Sequence, residues 1–80
     1  MAKDDLNKKI NWVIDQLIMR RKELGISHEK LALKVKLSRS AIGLIESKKR
    51  NPTLLTVLKI CDALGISLGE MLLRYGKHFE

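Results

Sequence analysis

Eighty residues, 45% of them hydrophobic and 31% charged, describe one globular domain over 1–80, because a chain this short buries only about 60% of its unfolded surface and has no surplus for a second core or a deep enclosed active site. One cysteine, two histidines and no run of twenty apolar residues exclude an internal disulfide, a zinc ligand set and a membrane-spanning helix. Sixteen Lys and Arg against nine Asp and Glu leave a charge of +7, which calls for a polyanionic partner, either nucleic acid or an anionic membrane.

Leucine and isoleucine dominate and no stretch alternates apolar and polar residues cleanly, so the expected fold class is all-α. The first helix is predicted from Leu6 to Leu24, with Leu6, Ile10, Val13, Ile14, Leu17, Arg21 and Leu24 on one face of a 3.6-residue period. Gly25 ends it. Ser27 stands at an N-cap position, followed by a short second helix from His28 to Val35 that buries Leu31, Ala32 and Val35. Ser38 caps a third helix over Arg39–Ser47, with Ala41, Ile42 and Ile45 inward. After the polar run from Lys48 to Pro52, Thr53 caps a fourth helix over Leu54–Leu64, which Gly65 stops. Ser67 and Glu70 form a capping box for a fifth helix reaching about Tyr75. Five helices with short turns predict a compact five-helix bundle.

The charge is uneven along this order. Residues 1–26 carry six basic and four acidic side chains, and residues 54–80 carry three of each. Residues 27–53 carry seven basic and two acidic, a net of +5. A charge run is ordinarily a solvated face, but this contrast favours a binding face in the middle and a packing or dimer segment at the end.

Two short helices around a three- or four-residue turn, with basic residues on the second, describe a helix-turn-helix over about 28–47. The stretch SHEKLALKVKLSRSAIGLIE, followed by RNPTLLTVLKICDALGISLGEML, resembles the lambda-repressor-like (Cro-type) helix-turn-helix family over roughly residues 10–73. The resemblance implies double-stranded DNA binding, with the helix over 39–47 in the major groove. Carried over by position, Arg39, Ser40, Gly43 and Leu44 are the base contacts. Arg39 offers a fork for guanine O6 and N7, and Ser40 reads weakly; Leu44 either packs on a thymine methyl or joins the core. Gly43 costs a helix about 1 kcal/mol relative to alanine, which suggests close approach to something. Lys36 occupies the turn position where the family usually has glycine, and His28 a position usually held by glutamine.

The expected phosphate contacts are Ser27, His28, Lys36, Lys48, Lys49, Arg50, Asn51 and Thr53, from helix starts and from the basic loop. Arg21 and Glu46 match a family ion pair that orients the recognition helix. One module reads only a few base pairs, and the resemblance implies a homodimer on a palindromic operator. Its segment is placed at about 66–80, with Ile66, Met71, Tyr75 and Phe79 outward and Leu68 and Leu72 in the core. Trp12 and Met19 form a second apolar stripe, unless the C-terminal tail covers Trp12.

Other classes fit poorly. Ser27, His28 and Glu29 are adjacent at a helix start and cannot align as a relay, and Cys61 reads as inward packing. The single aromatic of each kind gives little support to stacking on single strands. The charge is spread across the motif rather than along one long amphipathic helix, which speaks against a membrane surface. The MAKDD start and the charge at Asp15 argue against a secretory leader. A cytoplasmic transcription regulator is expected, without enzymatic activity, metal, cofactor, membrane or small-molecule ligand. It is similar to restriction-modification controller proteins or small phage repressors; the alternative is an antitoxin-type module that binds a toxin and represses its own operon.

Overall fold

The computed structural model describes residues 3–78, with side chains from 5 to 76. Five helices follow one another: α1 (Lys3–Glu23), α2 (His28–Val35), α3 (Arg39–Glu46), α4 (Leu54–Leu64) and α5 (Leu68–His78). No strand occurs among the described residues. At about 1.5 Å per residue, α1 alone runs roughly 31 Å, in a molecule whose longest extent is 36 Å. α1 lies across α3, α4 and α5, while α2 packs on α3 and α4.

The boundaries follow from local chemistry. Ser27, Ser38 and Thr53 each sit in extended backbone, and each side-chain oxygen accepts the amide of the residue three ahead, Lys30, Ala41 and Thr56. Ser67 does the same for Glu70 at 3.2 Å, with no bond returning from Glu70 among the described residues, so half of the predicted capping box is formed. The four C-termini of α1 to α4 close through a residue in the left-handed region. Gly25 and Gly65 occupy it at φ +66° and +67°, and Lys36 and Lys48 at φ +59° and +65°. After α3, the Lys48 amide reaches Ile45 and the Lys49 amide reaches Leu44, both at 3.0 Å, which satisfies the last carbonyls of that helix.

The core is apolar and continuous. Ile14, Leu31, Ile42, Leu64 and Met71 are its largest fully buried side chains. Ala32, 4% exposed, is the small residue where α2 meets α3 and α4, and Cys61 is buried beside Ile60 and Leu64. The predicted face of α1 is buried at Val13, Ile14, Leu17 and Arg21, while Leu6 and Leu24 at its two ends stand half in water.

Three of the residues expected at a dimer interface are instead engaged within the chain. Met71 is 0% exposed: α5 is phased so that this residue, not Leu72, points at the core. Leu72, expected in the core, is 43% exposed. Ile66 is half-buried against the core. Tyr75 meets Trp12 edge to face, ring centroids 5.3 Å apart and planes at 67°, with the Lys9 ammonium 5.4 Å from the Tyr75 centroid. The C-terminal helix thus covers Trp12. Phe79 lies outside the described residues.

Candidate nucleic-acid interface

α3 is eight residues long and divides cleanly. Ala41, Ile42 and Ile45 are buried. At about 100° per residue, Arg39, Ser40, Gly43 and Leu44 fall within an arc of roughly 140° on the opposite side. Arg39 and Ser40 are exposed, and Gly43 and Leu44 are half-buried. A Cβ built on Gly43 meets nothing within 4 Å, so nothing inside the chain requires glycine there. The absence of a side chain leaves the helix backbone open to an external surface.

The orientation of α3 is fixed at its last residue. Arg21 sits on the buried face of α1, only 9% exposed. Its Nε and Nη2 donate to the two Glu46 oxygens at 2.7 and 2.9 Å, and its Nη1 donates to the Ile26 carbonyl at 2.7 Å. This bidentate fork joins α1, the α1–α2 turn and α3. A third limb was not foreseen: His28 Nε2 lies 2.8 Å from Glu46 Oε1, which ties in the start of α2. Burial works to raise the Glu46 carboxyl, but the hydrogen bonds from Arg21 and His28 and the Arg21 charge outweigh it and hold it below the ordinary value.

The phosphate candidates divide by what already holds them. Lys49, Arg50 and Asn51 project from the loop after α3 and are exposed. Lys48 is ion-paired with Asp15 of α1 at 2.6 Å, a partner that sequence spacing gives no means of finding. Ser27 uses its oxygen as the α2 cap but keeps its own hydroxyl proton. Thr53 donates its proton to Thr56 Oγ1 at 3.0 Å, so what it offers a phosphate is the helix start rather than its hydroxyl. Lys36 is exposed at the α2 C-terminus, where with Lys34 and Lys59 it borders a cleft that also holds Asp62. Ser27, His28, Arg21 and Arg39 come together with Glu29 around an open cavity of about 360 Å³, at the side where α2 and α3 both begin.

Among the described residues no group of three or more His, Cys, Asp or Glu stands close enough to hold a metal ion. None of their helices is long and apolar enough to cross a membrane.

An eight-residue helix with a polar outer arc, set at a fixed angle on a second short helix and edged with cations, defines a helix-turn-helix DNA-binding domain. Comparison with known families agrees: the helix-turn-helix family matches residues 17–71. The chain belongs to the lambda-repressor-like helix-turn-helix family, a family of DNA-binding transcription regulators. No curated protein and no solved structure matches it.

Proposed function

We propose that the chain is a sequence-specific transcription regulator that lays α3 in the major groove of duplex DNA, with Arg39, Ser40, Gly43 and Leu44 facing base edges. The observation that carries this reading is the open arc of α3, with bare backbone at Gly43 and a guanidinium at Arg39. Ser27, Lys36, Lys49, Arg50, Asn51 and the Thr53 helix start hold the phosphates on either side, and Lys48 joins them on release from Asp15. A cation at the first residue of a helix is disfavoured by the helix dipole, which makes Arg39 better suited to an external anion or base acceptor than to its own helix. Selection of sites from random duplexes, followed by Arg39→Ala and Lys49→Ala, tests the division. Loss of Arg39 should relax preference at one base pair by about 1–3 kcal/mol. Loss of Lys49 should weaken all sequences alike. Unchanged preference in the Arg39 variant would overturn the base assignment.

The regulator acts as a homodimer on a palindromic operator. The face that fits a second copy differs from the one expected from sequence. Leu6, Ile10, Leu54, Leu68 and Leu72 line a groove of about 330 Å³ between α1, α4 and α5, with Lys9 as its one charged wall. Leu54 and Leu58 stand one turn apart on α4, 66% and 47% exposed. Two copies of a chain at +7 repel each other least across the charge-balanced residues 54–80, and exposed leucines there gain most from being covered. Sedimentation at tens of micromolar should show a dimer that Leu54→Glu converts to monomer. A wild-type monomer unchanged by DNA removes the dimer, and the same leucine groove then favours the antitoxin-type reading, in which another protein occupies it.

A further inference from the structure

His28 stands against a group that can only accept hydrogen bonds. It is the ionised Glu46 carboxylate, 2.8 Å from Nε2, which requires the proton to sit on Nε2. In neutral imidazole that is the ring's single proton, so Nδ1 is left as a lone pair. Nδ1 makes no hydrogen bond among the described residues, and the side chain remains 36% exposed. The ring lines the 360 Å³ cavity that Ser27, Arg21, Glu29 and Arg39 complete. The charged groups facing His28 are therefore Arg21 from α1, Glu46 and Arg39 from the two ends of α3, and Glu29 from its own helix.

A DNA phosphate brought against Nδ1 would also be acceptor-only. Against neutral His28 it meets a lone pair; against imidazolium it meets a second N–H, while Nε2–H keeps its bond to Glu46. We infer that His28 bridges Glu46 and a DNA phosphate only as imidazolium, so that where the free ring is neutral, binding duplex DNA draws up to one proton from solvent onto Nδ1 of each chain. This deepens the DNA-binding reading and rests on it. His28 becomes a proton-linked phosphate contact attached directly to the residue that fixes α3. The sign follows from linkage: the bound state holds the extra proton more tightly, so affinity rises as pH falls, by at most about tenfold per pH unit for one proton.

The experiment uses the full chain and a labelled mixed-sequence DNA duplex of about 30 base pairs, long enough for two half-sites one turn apart. Affinity is followed by anisotropy from about pH 5.5 to pH 8 for wild type and His28→Gln. Glutamine keeps a donor for Glu46 but never gains a charge. Wild type should bind several-fold more tightly at the acid end, and the variant should show a flat profile. Calorimetry of wild type alone, in two buffers of different ionisation enthalpy, should show net proton uptake, a readout that a purely structural role for His28 does not move and that needs no variant to fold. A flat wild-type profile without proton uptake, or a slope that survives in His28→Gln through His78 or the N-terminus, overturns the inference while duplex binding stands. Absence of duplex binding at every pH overturns the DNA reading and this inference together.

Discussion

The Lys48 ammonium lies 2.6 Å from the Asp15 carboxylate, so the first cation of the basic loop is held by α1 rather than left to solvent. Both side chains are partly exposed, at 35% and 51%, and such a pair contributes at most about 1 kcal/mol to folding. Its larger effect is on the charge available to a phosphate backbone. Asp15→Asn should leave the urea midpoint nearly unchanged, raise affinity for non-specific duplex, and steepen the plot of log affinity against log salt by up to about one phosphate contact. An unchanged salt slope would place Lys48 away from the DNA.

Lys36 takes the left-handed conformation at φ +59°, where the α2 C-cap amide bonds to the Ala32 carbonyl. An L-residue there costs roughly 1–2 kcal/mol relative to glycine, offset in part by glycine's greater freedom when unfolded. Lys36→Gly should therefore stabilise the fold by about 1 kcal/mol in urea titration. Lys36→Ala, equally strained, should gain nothing. If the glycine variant is more stable yet binds duplex DNA more weakly, the lysine is retained for its charge.

The helices were legible because their signals are local. Ser27, Ser38, Thr53 and Ser67 announce helix starts within three residues, and Gly25 and Gly65 announce ends. The open arc of α3 follows from its period alone. The Arg21–Glu46 pair was accessible only through resemblance, because residues 25 apart in sequence meet through tertiary packing. The His28–Glu46 and Lys48–Asp15 contacts left no sequence signal at all. The phase of α5 misled for a related reason. In MLLRY every candidate is apolar, so composition does not decide whether Met71 or Leu72 faces inward; the approach of α1 does.

Glu46 makes stability depend on acid in a defined direction. Its carboxyl lies below the ordinary value of 4.5 in the folded chain, with burial opposed and outweighed by Arg21 and His28. A depressed folded value means that the carboxylate's contribution is complete above about 4.5, the unfolded value, and is lost as pH falls through the folded one. Thermal unfolding of wild type should weaken across that acid range, and Glu46→Gln should show a shallower acid arm. Arg21→Met leaves a part-buried carboxylate without its fork, though still bonded to His28, and should cost up to about 3 kcal/mol at neutral pH. A double-mutant cycle with no coupling between positions 21 and 46 would remove the pair's structural role.

Gly43 separates folding from recognition. In the folded chain an added Cβ meets nothing within 4 Å, and alanine is favoured over glycine in a helix interior by about 1 kcal/mol. Gly43→Ala should therefore raise the urea midpoint by an amount of that order. The same methyl stands on the arc between Arg39 and Ser40, the face that the proposed docking of α3 turns toward the groove floor. Binding to the selected site should fall even as stability rises, with non-specific affinity and salt slope unchanged, because no phosphate contact is touched. Glycine was then retained against helix propensity for close approach to bases. If affinity instead follows stability upward, Gly43 does not lie against the bases, and the assignment of this arc of α3 to the groove floor falls.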